Sequence, residues 1–132
     1  MKIILFITAI LLGVTLLPVG LLYSIVYRIL YKTRAKSTVS DYFHSCALAI
    51  DQLGNVFCSD LFNTTLIHSS TKVPFGDADQ TISAVLGYAQ AENSLTSLGD
   101  LVANMLDRID PNHCKKAMIA DIESCQKLKT QN

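Results

Sequence analysis

The chain predicts an all-α protein, with an N-terminal transmembrane helix followed by a small bundle of about four helices. Three observations carry that expectation. Residues Ile3 to Tyr27 form a run of 25 residues without a charge. Beyond it, apolar residues recur three and four positions apart in one segment after another, the period of a helix with one buried face. No segment alternates polar and apolar residues over several positions, as a half-buried strand would.

The apolar run comes first in the chain. A bilayer core is ~30 Å thick and a helix rises ~1.5 Å per residue, so ~20 apolar residues span it. A secretory signal has a core of only ~7–15 residues followed by a small-residue cleavage site. Here the run is longer, and Arg28-Ile29-Leu30-Tyr31-Lys32 follows it. An uncleaved single span is expected. Arg28, Lys32, Arg34 and Lys36 crowd its C-terminal flank against Lys2 on the other side. Excess Lys and Arg marks the cytoplasmic side, so the N-terminus is expected outside and the C-terminal domain inside. Tyr23, Tyr27 and Tyr31 share a helix face, which suits either the headgroup layer or a partner helix. Pro18 is expected to kink the span, and with Gly20 it leaves a re-entrant break as the rival reading. Gly13 and Gly20 are seven apart and make no Gly-x-x-x-Gly motif.

Residues 1–36 thus read as a transmembrane anchor with a basic flank, and residues 37–132 as an acidic helical domain. The latter carries six Lys or Arg against all eleven Asp and Glu, a formal charge of −5. An acidic domain argues against nucleic acid, whose phosphates need clustered bases. The basic collar suits a topology signal and contact with anionic lipid.

In the domain, Phe43, Cys46, Ile50, Leu53, Phe57 and Leu61 make one apolar stripe. They predict a helix from an N-cap at Ser40 to about Ile67, bent near Gly54-Asn55. His68 to Phe75 reads as a loop. Asp77 with Gln80 resembles a capping box, so a helix is expected over about 78–90 with Ile82, Val85, Leu86 and Ala89 inward. Thr96 caps a helix from Ser97 to about Ile109, its apolar positions Leu98, Val102, Met105, Leu106 and Ile109. Asp110-Pro111 opens a last helix to about Leu128, with Met118, Ile122 and Cys125 on one side.

The blocks Ile50-Asp51-Gln52-Leu53-Gly54-Asn55, Leu61-Phe62-Asn63, Phe75-Gly76-Asp77, Thr81 to Gly87, Leu95-Thr96 and Asp110 to Cys114 follow one another in a telling order. The pattern, from about Ala47 to Ala117, resembles a set of small membrane-anchored proteins of tailed bacteriophages and prophages. The resemblance implies origin and fold rather than activity, and it carries over no catalytic residue.

Chemistry is sparse. Cys46, Cys58, Cys114 and Cys125 form no Cys-x-x-Cys pair, and a reducing cytoplasm disfavours disulfides. Cys46 and Cys125 fall on apolar stripes, as small buried hydrophobes do. His44 with Cys46 and His113 with Cys114 are poor zinc donors, since neighbours one or two apart on a helix diverge. Cys114 in a first helical turn invites a nucleophile reading, without an assignable base or oxyanion site. Asp77, Asp79, Asp107 and Asp110 lack the oxygen series of a calcium loop. Asn63-Thr64-Thr65 fits a glycosylation sequon, which a cytoplasmic domain makes irrelevant. No catalytic, cofactor-binding or metal residue is assigned, and no cofactor is expected. The expected role is a non-enzymatic, membrane-tethered interaction module in the bacterial inner membrane. Its partners are the lipid bilayer and either a membrane protein or a second copy in a homo-oligomer. The alternatives are a holin-like permeabilising protein and, behind it, a metal- or thiol-dependent enzyme.

Overall fold

The computed structural model describes residues 2–31 and 38–130, the last three as backbone only. Lys32, Arg34 and Lys36 of the basic collar, and the side chain of Lys129, lie outside the described residues. Among those described, six helices follow in order: α1 (Lys2–Leu30), α2 (Val39–Phe57), α3 (Ser59–Thr65), α4 (Ile82–Ala91), α5 (Ser97–Ile109) and α6 (His113–Thr130). The fold is all-α. An isolated antiparallel bridge between Ile67 and Leu95 is the nearest approach to a sheet among these residues. The chain divides into two compact units, 1–46 and 47–132, with α2 contributing to both.

In the first unit, α1 is long and apolar enough to cross a membrane, and none of its residues is buried. It runs unbroken through Pro18. Thr8 and Thr15 donate their hydroxyls to the carbonyls of Ile4 and Leu11 at 2.9 and 2.8 Å, so neither needs water. Tyr23, Tyr27 and Tyr31 stack in succession, with centroids 6.0 and 5.1 Å apart. A capping box starts α2 at Thr38, two residues before the expected Ser40. Asp41 N–H donates to Thr38 Oγ1 and Thr38 N–H to Asp41 Oδ2. These bonds hold the Asp41 carboxyl below its ordinary range.

The second unit is organised around α4. Its sequence, Ile-Ser-Ala-Val-Leu-Gly-Tyr-Ala-Gln-Ala, is small or apolar on nearly every side, which suits a helix enclosed by others. Val85, Leu86 and Ala89 are wholly buried and meet Leu66, Ile67, Phe75, Ala103 and Cys114 in one core. Phe62 sets its ring edge-on to Phe75 at 5.3 Å. Two glycines let backbones touch. A Cβ on Gly87 would overlap the Cys114 carbonyl, and one on Gly99 the Leu66 carbonyl.

Several boundaries differ from expectation for local reasons. The segment predicted as one helix from Ser40 to about Ile67 divides at Cys58 rather than bending at Gly54-Asn55. Thr81, not Asp77, caps α4 and accepts from Ala84 N–H at 3.0 Å. Asp77 instead closes a turn by accepting from Asp79 N–H. Thr96 caps α5 as expected, accepting from Gly99 N–H at 3.1 Å. Asp110 ends α5, and Asn112 at φ 61° turns the chain. The N–H of Cys114 in the first turn of α6 is taken by Asp107 at 3.1 Å, a cap reaching over from α5.

Candidate interaction surface

The expected stripe on α2 is present but faces the wrong way for a core. Ile50, Leu53 and Phe57 are 69%, 55% and 60% exposed, and Leu61 on α3 is 59% exposed. The inward side of α2 is polar. Asp51 accepts from Ile82 N–H at 3.1 Å and from the Ser83 hydroxyl at 2.9 Å, adding a second anchor to the start of α4. Gln52 donates to the Asp79 carbonyl. Asn55 is fully buried. Its amide donates to the carbonyls of Asp77 and Gln80, both at 2.8 Å, and accepts from Gly76 N–H at 3.0 Å. Gly76 sits at φ +125°, a conformation that suits glycine, so the loop can present its N–H there. On α3, Asn63 makes the same kind of clamp, donating to the Phe75 carbonyl and accepting from its N–H. Both amide ends of Asn63 are therefore engaged, and the sequon residue is part of the fold.

The reason for the inversion follows from these bonds. The loop between α3 and α4 carries backbone groups that need partners once they are shielded from water. Asp51, Asn55 and Asn63 supply them from short, stiff side chains. Sequence periodicity locates a stripe, but it cannot say which side carries the stronger demand. Asp51 and Asn55, four apart on an otherwise apolar helix, were the available signal.

Beside the inverted face lies an open groove of about 920 Å³. Ala47, Ile50, Leu61, Leu98, Val102 and Leu106 contribute to its apolar lining. Past its rim, α5 exposes Leu101, Met105 and Ile109, residues expected in part to be core. Only Gly99 and Ala103 of α5 are buried, because small residues are what let this helix approach its neighbours. Exposed apolar residues scattered singly are ordinary, whereas a contiguous face marks an interaction site.

The titratable groups are tied into structure. Asp121 accepts from Tyr88 at 2.9 Å and from Gln80 at 3.1 Å, joining α6 to α4 and its preceding loop. Partial burial and then this carboxylate push the Tyr88 hydroxyl up to about 12. Asp110 holds Lys116 at 2.7 Å and His113 Nδ1 at 3.2 Å, and these bonds keep its carboxyl below the ordinary range.

The four cysteines are free thiols. Cys114 is the buried one, while Cys125 is exposed and Cys46 half-buried, which corrects the expectation of a buried Cys125. The ten residues of α4 span only ~15 Å and the eighteen of α6 ~27 Å, so the second half of α6 extends past its support. Burial, followed by the Asp107 carboxylate, pushes the Cys114 thiol up to about 12. That is the opposite of an activated nucleophile, despite its place in a first helical turn. Among the described residues, no three His, Cys, Asp or Glu side chains gather to hold a metal ion. Comparison with protein-family models, characterised proteins and solved structures finds no match to this chain.

Proposed function

We propose that the chain is a single-pass protein of phage or prophage type, set in the bacterial inner membrane with its helical unit in the cytoplasm. There it docks a protein partner through its apolar face, without catalysing a reaction. The single observation that supports this reading best is the inverted α2, whose polar residues serve the fold while Ile50, Leu53 and Phe57 stand exposed. The adjoining groove extends that face onto α3 and α5. A stable soluble surface rarely carries so much contiguous apolar area unless something covers it. The acidic charge of residues 37–132 favours a protein partner over nucleic acid.

The test uses the full-length chain in bacterial membranes, with a photo-crosslinking amino acid at Leu61 or Leu98, or at Glu123 as control. Discrete adducts from the two groove positions and none from Glu123 are expected. Adducts absent from all three, or equally diffuse at all three, would refute docking through this face.

A further inference from the structure

We propose that the outward stripe of α2 pairs in parallel with α2 of a second copy of this chain. This rests on reading the chain as an interaction module and names the partner for one part of its face. Phe43, Cys46, Ile50, Leu53 and Phe57 follow steps of three, four, three and four. That is the a and d pattern of a coiled-coil seam, with Phe43, Ile50 and Phe57 at a and Cys46 and Leu53 at d. Ile at a with Leu at d is the combination that favours two parallel strands.

Charge points the same way. The flanking e and g positions are Ala47, Ala49, Gly54 and Val56, all uncharged. Charged residues there choose between partners and repel identical ones, and this seam carries none. The flanks are also small, so two helices can approach closely. A bilayer surface fits the stripe poorly, because interfacial helices are rich in Lys and Arg. Neither α2 nor α3 has any, and they hold Asp41, Asp51 and Asp60.

The anchor supplies the geometry. Two copies inserted by the same rule point the same way, and Thr38 follows Tyr31 by seven residues, at most about 25 Å of chain. The helices therefore start level and parallel. A seam of about two and a half heptads is short for association in solution. Confinement to one membrane raises the local concentration and offsets that shortness. The helical unit's own bonds are complete without the seam, since Asp51, Gln52 and Asn55 hold α2 from its other side.

The experiment is oxidative cross-linking of the full-length chain in native membranes, with Cys58 and Cys125 changed to Ser. Cys46 is tested as it stands. Leu53→Cys, Ser45→Cys and Leu48→Cys are tested with Cys46→Ser. A disulfide needs Cβ atoms ~3.8 Å apart, so dimers at Cys46 and Leu53→Cys should form on the order of tenfold faster than at positions 45 and 48. Rapid cross-linking at both seam positions supports parallel pairing, whatever else the groove binds. Equal rates at all four positions, or no dimer at any, overturns it. Discrete groove adducts to a different protein would then leave the docking reading standing. Leu53→Asp gives a second check on an exposed position: loss of the dimer with unchanged helicity is expected. A persisting dimer counts against the seam.

Discussion

Replacing Asn55 with Ala should be among the most damaging single changes to the helical unit, although Asn55 is polar. The side chain is fully buried and makes three hydrogen bonds to the backbone around 76–80. A net intramolecular hydrogen bond contributes about 1 kcal/mol, and an orphaned buried group adds to the loss. The Asp77 carbonyl keeps a partner in Gln80 N–H, so its loss is the mildest. Gly76 N–H keeps no such substitute among the bonds of that loop. The three together come to roughly 3 kcal/mol, a large share of the ~5–15 kcal/mol typical of a domain. For a unit of this size that corresponds to a fall in Tm on the order of 15 °C. Urea unfolding of the full chain in detergent, followed by far-ultraviolet circular dichroism, measures it, because micelles keep α1 helical throughout. Asn55→Asp should be at least as harmful near neutral pH, since a carboxylate would face two carbonyls. Its deficit should shrink in acid, where the protonated group donates again. Either variant within about 0.5 kcal/mol of the parent, the ordinary effect of a surface change, would refute the clamp.

Gly87→Ala forces a methyl into the Cys114 carbonyl and should cost about 2 kcal/mol or more, with exchange protection lost first at α4 and α6 in hydrogen-exchange measurements. Thr96→Ala removes the α5 cap and its 2.6 Å bond to the Thr65 carbonyl, for a loss of about 1–2 kcal/mol in the same urea assay. Alkylation at mildly alkaline pH should modify Cys125 first and Cys114 last, as mass spectrometry of timed samples would show. Cys114 and Tyr88 hold their protons more tightly folded than unfolded. Their contribution is therefore full below their unfolded values, ~8.5 and ~10. It is lost as pH climbs toward about 12, so urea midpoints should fall across that interval.

The sequence carried the parts of this fold that local physics controls. A charge-free run needs no tertiary context to be read as a helix. Thr96 is legible because one hydroxyl satisfies one N–H three residues on. The start of α4 was less legible, since Asp77 and Thr81 are both good caps and only Asn55, more than twenty residues away, ties Asp77 into the loop. The Asp107 cap on α6 comes from a neighbouring helix, so no short motif records it. The stripe on α2 was legible as a stripe but not in its direction. Direction depended on which face the α3–α4 loop required, and that demand is a property of the folded chain. The groove arises from α2, α3 and α5 together and has no signature in any one of them.

The measurement that bears most directly on the central claim is labelling of Cys125 in intact bacteria with a membrane-impermeant thiol reagent, compared with lysed cells. Cys125 is exposed, so burial within the unit does not mimic protection, as it would for Cys114. A membrane-tethered chain with its helical unit in the cytoplasm predicts a thiol silent in intact cells and labelled on lysis without denaturant, with the protein in the membrane fraction. Labelling before lysis, or recovery of the full-length chain in the soluble fraction, would contradict the account.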